Sequence, residues 1–475
     1  MGYGAPAMPA PSAAQPDRSQ IPLLQLAWPL LVENLLRSSL MSVDTLMLGR
    51  FSNKAVAALS LVNQYAFFIQ LLYMMVSIGA SILITQNLGA GNRKEAGLVG
   101  VGSLTLMSAG SLLVSAVFAL GAGPLLSLYG LEPEVALYGK QFLTIYGGFS
   151  FLMAVNIGQG SILRSWGHSR DPMMVNVVCL VLTVAGNALC LFGPFGFPVL
   201  GVVGVAASTV FSQLVACVLT YFLIKRRHDI ALPLREFRAI PRRVYRAMLA
   251  IGIPTAGENL SYNVSQIATL AMLARLGTAS LTTYGVLLAV LRYIFMPGVS
   301  IGIAAQLKVG YLVGAGRAGE AQQKVYRYFA IGFGCSVVLV VLVERFHRPL
   351  LALFSADPEV VALASGVLLV ALVHEPGRNF NTVIIPALKG SGDVRFPVYV
   401  GIASMWGIGV LGAWVLGVKL GYGLPGVWVA MAADEWLRGL AMLARWRSGV
   451  WKTKALVATE AGGPSVSMIE AEEGI

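Results

Sequence analysis

The residues of this chain that could do chemistry are charged side chains that lie inside long apolar runs. They are six acids and four arginines: Glu33, Asp44, Glu258, Glu375, Asp434, Glu435, Arg37, Arg292, Arg378 and Arg438. A charge inside a membrane-spanning helix is costly, so by default it marks a functional site. The plainer interpretation, that these groups only tie helices together in a bundle, stays open.

Spacing divides these charges into two groups. In three acid–arginine pairs the partners lie one helical turn apart, where the arginine can neutralise its acid and the pair can be mainly structural: Glu33–Arg37, Glu375–Arg378 and Asp434–Arg438. Asp44, Glu258 and Glu435 have no such cation, although Glu435 could also reach Arg438. The second group is therefore expected to carry an ion or to contact a substrate.

The composition requires a membrane protein. Of 475 residues 56% are hydrophobic and 12% are charged, and the mean hydropathy is +0.73. A soluble domain of this length could not cover such a core with polar surface. The cysteines and histidines form no metal-binding or nucleophile motif and no Walker lysine is present, so we expect no enzyme and no cofactor. The net charge of +12 suits basic loops beside a membrane better than nucleic acid.

Twelve apolar runs are long enough to span a membrane. They lie at roughly 23–49, 55–85, 98–122, 135–160, 174–193, 200–224, 247–274, 279–306, 325–343, 360–388, 397–417 and 423–446. The fold class is therefore an all-α polytopic membrane protein, with six-helix lobes at 22–224 and 247–449. Residues 1–21 and 450–475 are expected to be disordered tails, and 225–246 to be a basic cytoplasmic linker.

An internal repeat with an offset of 225 residues relates the two lobes. The matching stretches are Glu33-Asn34-Leu35 with Glu258-Asn259-Leu260, Gly89-Ala90-Gly91 with Gly314-Ala315-Gly316, and Leu163-Arg164 with Leu388-Lys389. An even number of spans in each repeat gives both lobes the same orientation, so the pseudo-two-fold axis lies along the membrane normal. Such lobes typically enclose a site at mid-depth, and their rocking exposes it to alternate sides.

The repeat is broken at two positions that matter for chemistry. Arg37 corresponds to Tyr262, so no cation on its own helix answers Glu258. Asp44 corresponds to Thr269 and thus has no acidic counterpart. The two lobes are therefore expected to have different roles.

The distribution of lysine and arginine predicts the orientation. Most of these residues outside the spans fall in segments on the same side as the N-terminus, including the linker 225–246. By the positive-inside rule both termini are expected in the cytoplasm, with the protein in the cell's inner membrane.

Several short motifs resemble the multidrug and toxic compound extrusion (MATE) family over about residues 22 to 450. They are Asp44-Thr-Leu-Met-Leu-Gly49, Gln86-Asn-Leu-Gly-Ala-Gly91, Leu388-Lys-Gly-Ser-Gly-Asp393 and Gly423-Leu-Pro-Gly426-Val-Trp428. The resemblance implies export of amphipathic, often cationic, organic compounds in exchange for Na⁺ or H⁺. It places the cation-linked aspartate at Asp44.

The resemblance also implies partners for Asp44. Asn187, Thr209 and Thr183 match positions that help to bind Na⁺ in some relatives. Those relatives, however, have an aspartate in place of Asn187 and an asparagine in place of Thr183. Other members couple through acids on the seventh and tenth spans, where Glu258 and Glu375 lie. Interhelical hydrogen bonding is the alternative for the neutral residues.

We thus expect a cation-coupled antiporter that acts as a monomer in the lipid bilayer, with no metal beyond a possible Na⁺ at Asp44. The alternative is a lipid-linked precursor flippase of the same superfamily. That function needs an anion-receptive cavity with several unpaired arginines in the first lobe, where only Arg37 qualifies and Glu33 stands beside it. Glu258, Glu375 and Glu435 are the candidates for coupling or substrate contact in the second lobe.

Overall fold

The computed structural model describes residues 17–196, 198–237, 239–352, 354 and 357–457. In this part of the chain twelve long helices follow one another: α1 (Leu23–Phe51), α2 (Asn53–Gly89), α3 (Arg93–Ser127), α4 (Pro133–Gly148 and Ser150–Ser165), α5 (Arg170–Phe192), α6 (Gly201–Arg226), α7 (Arg242–Arg275), α8 (Thr278–Gly314), α9 (Ala318–Arg345), α10 (Pro358–Ser391), α11 (Arg395–Lys419) and α12 (Gly423–Ser448). A short helix, His347–Ala352, lies between α9 and α10. The predicted all-α, twelve-helix fold is confirmed.

Within the described residues, eight helices are long and apolar enough to cross a membrane, and the two parts of α4 make a ninth as one bent span. The remaining three, α1, α7 and α12, each carry several charged residues along their length. Glu33 in α1 and Asp434 in α12 are both less than a tenth exposed. Their charges lower the hydropathy of these helices, but the side chains face neighbouring helices rather than lipid.

Two helices depart from the continuous spans that the sequence predicted. α4 bends by 45° at Phe149, beside Gly147, where a larger residue would overlap the side chain of Phe118. α11 contains two π-helical segments, Met405–Val410 and Trp414–Lys419. π-helical turns occur frequently at functional sites, and the first of these two borders the cavity of the second lobe described below.

The two lobes, α1–α6 and α7–α12, share a core at one end of the molecule only. We call this end the linker face, because the linker between α6 and α7 lies there, and the opposite end the far face. Near the linker face, Leu26 of α1 packs with Leu307 of α8, and Met248 of α7 packs with Ile82 of α2. Near the far face, each lobe has a separate core of its own. The lobes therefore meet at the linker face.

The contact between the lobes is reciprocal under the 225-residue offset. Gln86 of α2 donates to the backbone oxygen of Gly390 at 2.9 Å, and Tyr311, the equivalent of Gln86, donates to the backbone oxygen of Ser165 at 2.7 Å. Ser165 is in turn the equivalent of Gly390. The same pseudo-symmetry thus relates both donors and both acceptors.

Glycines allow the helix backbones to touch at this contact. A Cβ on Gly89 would overlap the backbone oxygen of Tyr311, and one on Gly314 would overlap that of Gln86. Small residues at helix interfaces let backbones approach closely. The contact on the linker face is therefore made backbone against backbone, and a larger side chain at either position would force the lobes apart.

Both predicted tails are ordered over part of their length, which corrects the expected boundaries. Residues Arg18–Gln20 form a 3₁₀ turn, and Lys308 of α8 donates to the backbone oxygens of Ser19 and of Ile21, the latter at 2.6 Å. Trp451 is fully buried and stacks on Trp446 at 4.0 Å. Apolar and hydrogen-bonding contacts with the helix ends thus order residues 17–21 and 450–457. Residues 1–16 and 458–475 lie outside the described part.

A network of charges holds the N-terminal segment on the linker face. Asp17 accepts hydrogen bonds from Ser19, Gln20 and Arg317. Burial alone raises the pKa of Asp17, but these hydrogen bonds outweigh it and lower the pKa to about 2. Asp17 is therefore charged at neutral pH and stays bound to the second lobe through Arg317.

The linker is shorter than predicted and packs on the first lobe. Because α6 continues to Arg226 and α7 begins at Arg242, it comprises residues 227–241. Arg227 binds both oxygens of Asp171 at 2.9 and 2.7 Å, and Ile230 and Ile240 join the core of the linker face. The boundaries 225 and 246 are thus wrong by a few residues, since the basic residues at both ends continue their helices.

Candidate functional site

The first lobe encloses a polar cavity of about 440 Å³. Its walls come from α1, α2, α4, α5 and α6, and its polar lining residues are Glu33, Arg37, Asp44, Thr45, Asn63, Gln70, Asn156, Asn176, Thr183, Thr209, Ser212 and Gln213. Phe67, Tyr146 and Met153 supply apolar surface beside them. This volume lies within the range that holds drug-sized ligands.

Asp44 lines this cavity without a cationic partner. Asn187 of α5 donates from Nδ2 to Oδ1 of Asp44 at 2.7 Å, and in the described part of the chain no lysine, arginine or histidine forms an ion pair with it. Asn187 is fully buried, and its Oδ1 has no hydrogen-bond donor. A carboxylate and an unused amide oxygen therefore lie side by side, which is an arrangement that favours a bound proton or cation.

The structure brings together all four residues of the predicted coupling site. Thr183 and Thr209 line the same cavity as Asp44. The hydroxyl of Thr209 donates to the backbone oxygen of Val205 at 3.0 Å, so its lone pairs can still accept or coordinate. One carboxylate and neutral oxygens make up this set, and the described residues contain no cluster of three or more His, Cys, Asp or Glu that could hold a metal ion.

Glu33 and Glu258 each form an ion pair with a cation from another helix of the same lobe. Arg164 of α4 lies 3.3 Å from both oxygens of Glu33, closer than Arg37 at 3.6 Å. In the second lobe, Lys389 of α10 binds Glu258 at 2.5 Å. The cation that answers Glu258 thus comes from another helix, and spacing along its own helix could not reveal it.

These two ion pairs are equivalent under the repeat. Glu258 and Lys389 follow Glu33 and Arg164 by the same 225 residues. Each pair joins the first helix of its lobe to the fourth. Sequence reasoning missed both partners, because Arg164 and Lys389 lie just beyond the predicted spans 135–160 and 360–388. The signal that could have found them is a cation at matching positions of both repeats.

The second lobe holds a smaller cavity of about 220 Å³ among α7, α8, α10, α11 and α12. Its charged lining residues are Arg292, Arg378, Asp434 and Glu435, accompanied by His374. Tyr262, Phe295 and Trp428 provide aromatic surface. Thr269, the counterpart of Asp44, also lines it.

Behind this cavity Arg438 bridges two acids of its own helix. It lies 3.2 Å from Asp434 and 2.8 Å from Glu435. Glu435 also accepts a hydrogen bond from Asn381 at 2.6 Å, and Ser404 donates to Asp434. The expected Asp434–Arg438 contact is thus present. The alternative that Glu435 reaches Arg438 is present as well, and Arg438 lies closer to Glu435 than to Asp434.

Glu375 is buried beside the same cavity and has two basic neighbours. His374 lies 3.0 Å away and Arg378 lies 3.5 Å away. The predicted Glu375–Arg378 pair is present, but it is the longer of the two contacts. Of the three second-lobe acids considered for coupling, only Glu435 lines the cavity itself.

Two six-helix lobes of equal orientation, each with a polar cavity among membrane-spanning helices, define a secondary transporter. The chain belongs to the MatE family, whose model matches residues 29–189 and 254–415. It is thus a multi-pass membrane transporter of the multidrug-efflux type and not an enzyme.

Individual relatives agree with this assignment. The chain is 35% identical over 442 residues to "Uncharacterized transporter YisQ" of Bacillus subtilis, covering 93% of this chain and 97% of YisQ. It is 27% identical to "Probable multidrug resistance protein NorM" of Thermotoga maritima, over 92% of this chain and 94% of the relative. The fold matches a solved structure described as the outward-facing conformation of a MATE family multidrug transporter, with a TM-score of 0.82, 18% identity and coverage of 91% and 96%.

Proposed function

We propose that this protein is a cation-coupled antiporter that exports amphipathic, often cationic, organic compounds, with Asp44 as the group that binds the coupling ion. The observation that carries the proposal is the environment of Asp44. It is a carboxylate inside a cavity of a membrane lobe, held by Asn187 and matched by no cation.

The coupling follows from competition for this carboxylate. A carboxylate removed from water is stabilised by a proton, by Na⁺ or by the positive group of a substrate, but not by two of them at once. Binding of the ion from one side of the membrane therefore displaces the substrate. A ligand can shift a conformational equilibrium only through such differential binding.

The lining of the first-lobe cavity supports amphipathic cations as cargo. Phe67, Tyr146 and Met153 offer aromatic and flexible apolar surface, while Asp44 and Gln70 supply acceptors. Aromatic faces attract organic cations, and methionine adapts to ligands of different shape. Arg37 is the one arginine among the described residues of this lining and it faces Glu33, so the cavity does not suit the phosphate groups of a lipid-linked precursor.

The arrangement of the lobes supports rocking as the means of transport. All the hydrogen bonds described between α1–α6 and α7–α12 lie between the linker face and the contact of Asn34 with Ser300, at 3.2 Å. We propose that the linker face is cytoplasmic, so that the molecule faces outward in this structure. A single chain supplies both lobes and both cavities, and it would act as a monomer.

The test is transport in everted membrane vesicles with H⁺ and Na⁺ gradients imposed separately. We expect one of the two gradients to drive uptake of a cationic dye by the wild-type protein, which identifies the coupling ion. Asp44→Asn should reduce gradient-driven uptake to the level of vesicles without the transporter, because the neutral amide cannot exchange a proton or Na⁺ for the dye.

The matched control is Glu359→Gln, which neutralises an exposed acid at the start of α10. It should transport like the wild type, and both variants should be present in the membrane at equal amounts. Full gradient-driven uptake by Asp44→Asn would contradict the assignment of Asp44. If neither gradient drove uptake by the wild type, coupled export itself would be wrong.

A further inference from the structure

Arg292 is a charge that the proposed coupling at Asp44 does not use. It lies near the middle of α8, its side chain is exposed, and it lines the cavity of the second lobe. Within the described residues no acid forms an ion pair with it, in contrast to Arg378 and Arg438 in the same lobe. An ionisable residue inside a membrane span is expensive and is a functional-site candidate by default.

Arg378 is the second arginine of this cavity, and it too has donors to spare. Its one ion pair in the described part of the chain is with Glu375 at 3.5 Å. The guanidinium lies over the ring of Phe295 at 3.8 Å from the centroid, which fixes its plane. A guanidinium carries five N–H donors, so most of those of Arg378 have no carboxylate opposite them.

The acids around the cavity, by contrast, are already satisfied. Asp434 accepts from Ser404 and binds Arg438, and Glu435 binds Arg438 and Asn381. Glu375, behind the wall, has His374 at 3.0 Å. Each of these carboxylates therefore already has a cation or a hydrogen-bond donor beside it. The lining groups with donors to spare are Arg292, Arg378 and Trp428.

A buried donor supplies independent support. Trp428 lines the cavity and is 1% exposed, yet its indole Nε1 has no acceptor. A buried N–H without a partner costs about 1–3 kcal/mol. An acceptor brought by a ligand would remove that cost.

We propose that the second-lobe cavity is a subsite for a carboxylate carried on an aromatic group of the substrate, with Arg292, Arg378 and the indole N–H of Trp428 as its donors. The guanidinium group matches a carboxylate in a planar, bidentate way. The ring surfaces of Tyr262 and Phe295 provide the place for the aromatic group.

The sizes of the two cavities suggest how a whole substrate is held. At about 220 Å³ the second-lobe cavity is smaller than the roughly 300 Å³ and more that drug-sized ligands occupy, so it receives only one end of the molecule. The other, cationic end of the substrate binds at Asp44 in the first lobe. This inference rests on the proposed export function for the route of the substrate, but the binding of a carboxylate can be measured without transport.

The binding test uses purified protein and two small probes, 1-naphthoate and its neutral counterpart 1-naphthamide, measured by isothermal titration. We expect naphthoate to bind and naphthamide to bind at least about 10-fold more weakly, as the loss of a charge-assisted hydrogen bond predicts. Arg292→Gln should weaken the binding of naphthoate by a similar factor and leave the binding of naphthamide unchanged. Arg292→Lys should retain part of the affinity for naphthoate.

The matched control is Arg327→Gln, which removes an exposed arginine of α9 outside the cavity and should change neither probe. Equal affinity for naphthoate and naphthamide, or equal weakening of both by Arg292→Gln, would overturn the carboxylate subsite. Because Arg378→Gln leaves Glu375 without that cation and risks misfolding, Arg378→Lys is the variant for the second donor; it should also weaken naphthoate selectively.

The transport test compares rhodamine 110, which carries a free carboxylate, with rhodamine 123, its methyl ester. In vesicles, Arg292→Gln should reduce export of rhodamine 110 by about 10-fold or more relative to rhodamine 123. If the wild type exports neither dye while naphthoate binding depends on Arg292, the proposed export function fails and the subsite stands. If the wild type exports both dyes and Arg292→Gln alters them equally, the subsite fails and the export function stands.

Discussion

Gly314 at the end of α8 lies against the backbone oxygen of Gln86, with no room for a Cβ. Replacing it by alanine therefore perturbs the closed linker face directly. The neighbouring atom belongs to the backbone, so no side-chain rotation can relieve the overlap and the two helices must separate. Gly89 makes the equivalent contact with Tyr311, which gives a second, independent site for the same perturbation.

The size of the effect can be worked from this geometry. An extra carbon forced into a well-packed contact costs about 1–3 kcal/mol. The cost applies only while the linker face is closed, since opening separates α8 from α2. The ratio of closed to open molecules should thus fall by about 5- to 150-fold, because each 1.4 kcal/mol corresponds to a factor of ten.

Spin-label pairs that join α2 to α8 near the linker face would measure this ratio as two populations of distance. We expect Gly314→Ala to enlarge the longer-distance population and Gly89→Ala to do the same. Gly334→Ala in α9 is the matched control, because a Cβ there would meet no other atom within 4 Å. Identical distance distributions for Gly314→Ala and Gly334→Ala would refute the reasoning that this glycine contact holds the face closed.

Two further predictions concern the lobes. Lys389→Ala should lower the melting temperature of the purified protein by several degrees, because it leaves Glu258 as a lone buried carboxylate. Adding Glu258→Gln should recover part of the lost melting temperature. Equal melting temperatures of the single and double variants would show that the two residues do not act as a pair. A disulfide between Lys54→Cys and Ser280→Cys joins the lobes at the far face and should stop transport. A disulfide between Lys54→Cys and Glu132→Cys lies within one lobe and should leave transport intact. The opposite pattern would argue against rocking.

The fold was predictable because each helix is signalled by its own apolar run, and an offset of 225 residues relates matching stretches of the two lobes. The bend of α4 was not, because it lies where Gly147 packs against Phe118 of another helix, a contact that the sequence does not reveal. The order of residues 450–457 was not predictable either. That segment is held by Trp451, and its stacking on Trp446 depends on how the chain turns back after α12.

The candidate site divides in the same way. Asp44 and its neighbours Asn187, Thr183 and Thr209 were predicted from the resemblance. In the structure Asp44, Thr183 and Thr209 line one cavity, and Asn187 is hydrogen-bonded to Asp44. Partners on other helices were missed, as for Glu258, since spacing reveals only cations on the same helix. The uneven sharing of Arg438 between two acids likewise depends on side-chain geometry that the sequence does not contain.

The reciprocal contact of the two lobes has a consequence for how such a chain can arise. In the contact between the lobes, residue i meets residue j, and the equivalent of j meets the equivalent of i. Contacts of an isologous dimer follow the same rule. Two identical six-helix chains could therefore associate through the same surface, with Gln86 and Gly89 of each chain in the contact. Joining the halves into one polypeptide keeps this interface and frees every other position to diverge. The position that is Asp44 in one half is Thr269 in the other, and the position that is Phe67 is Arg292. All four residues line cavities, so a single fused chain can give its two cavities opposite affinities for charge, which a pair of identical chains could not.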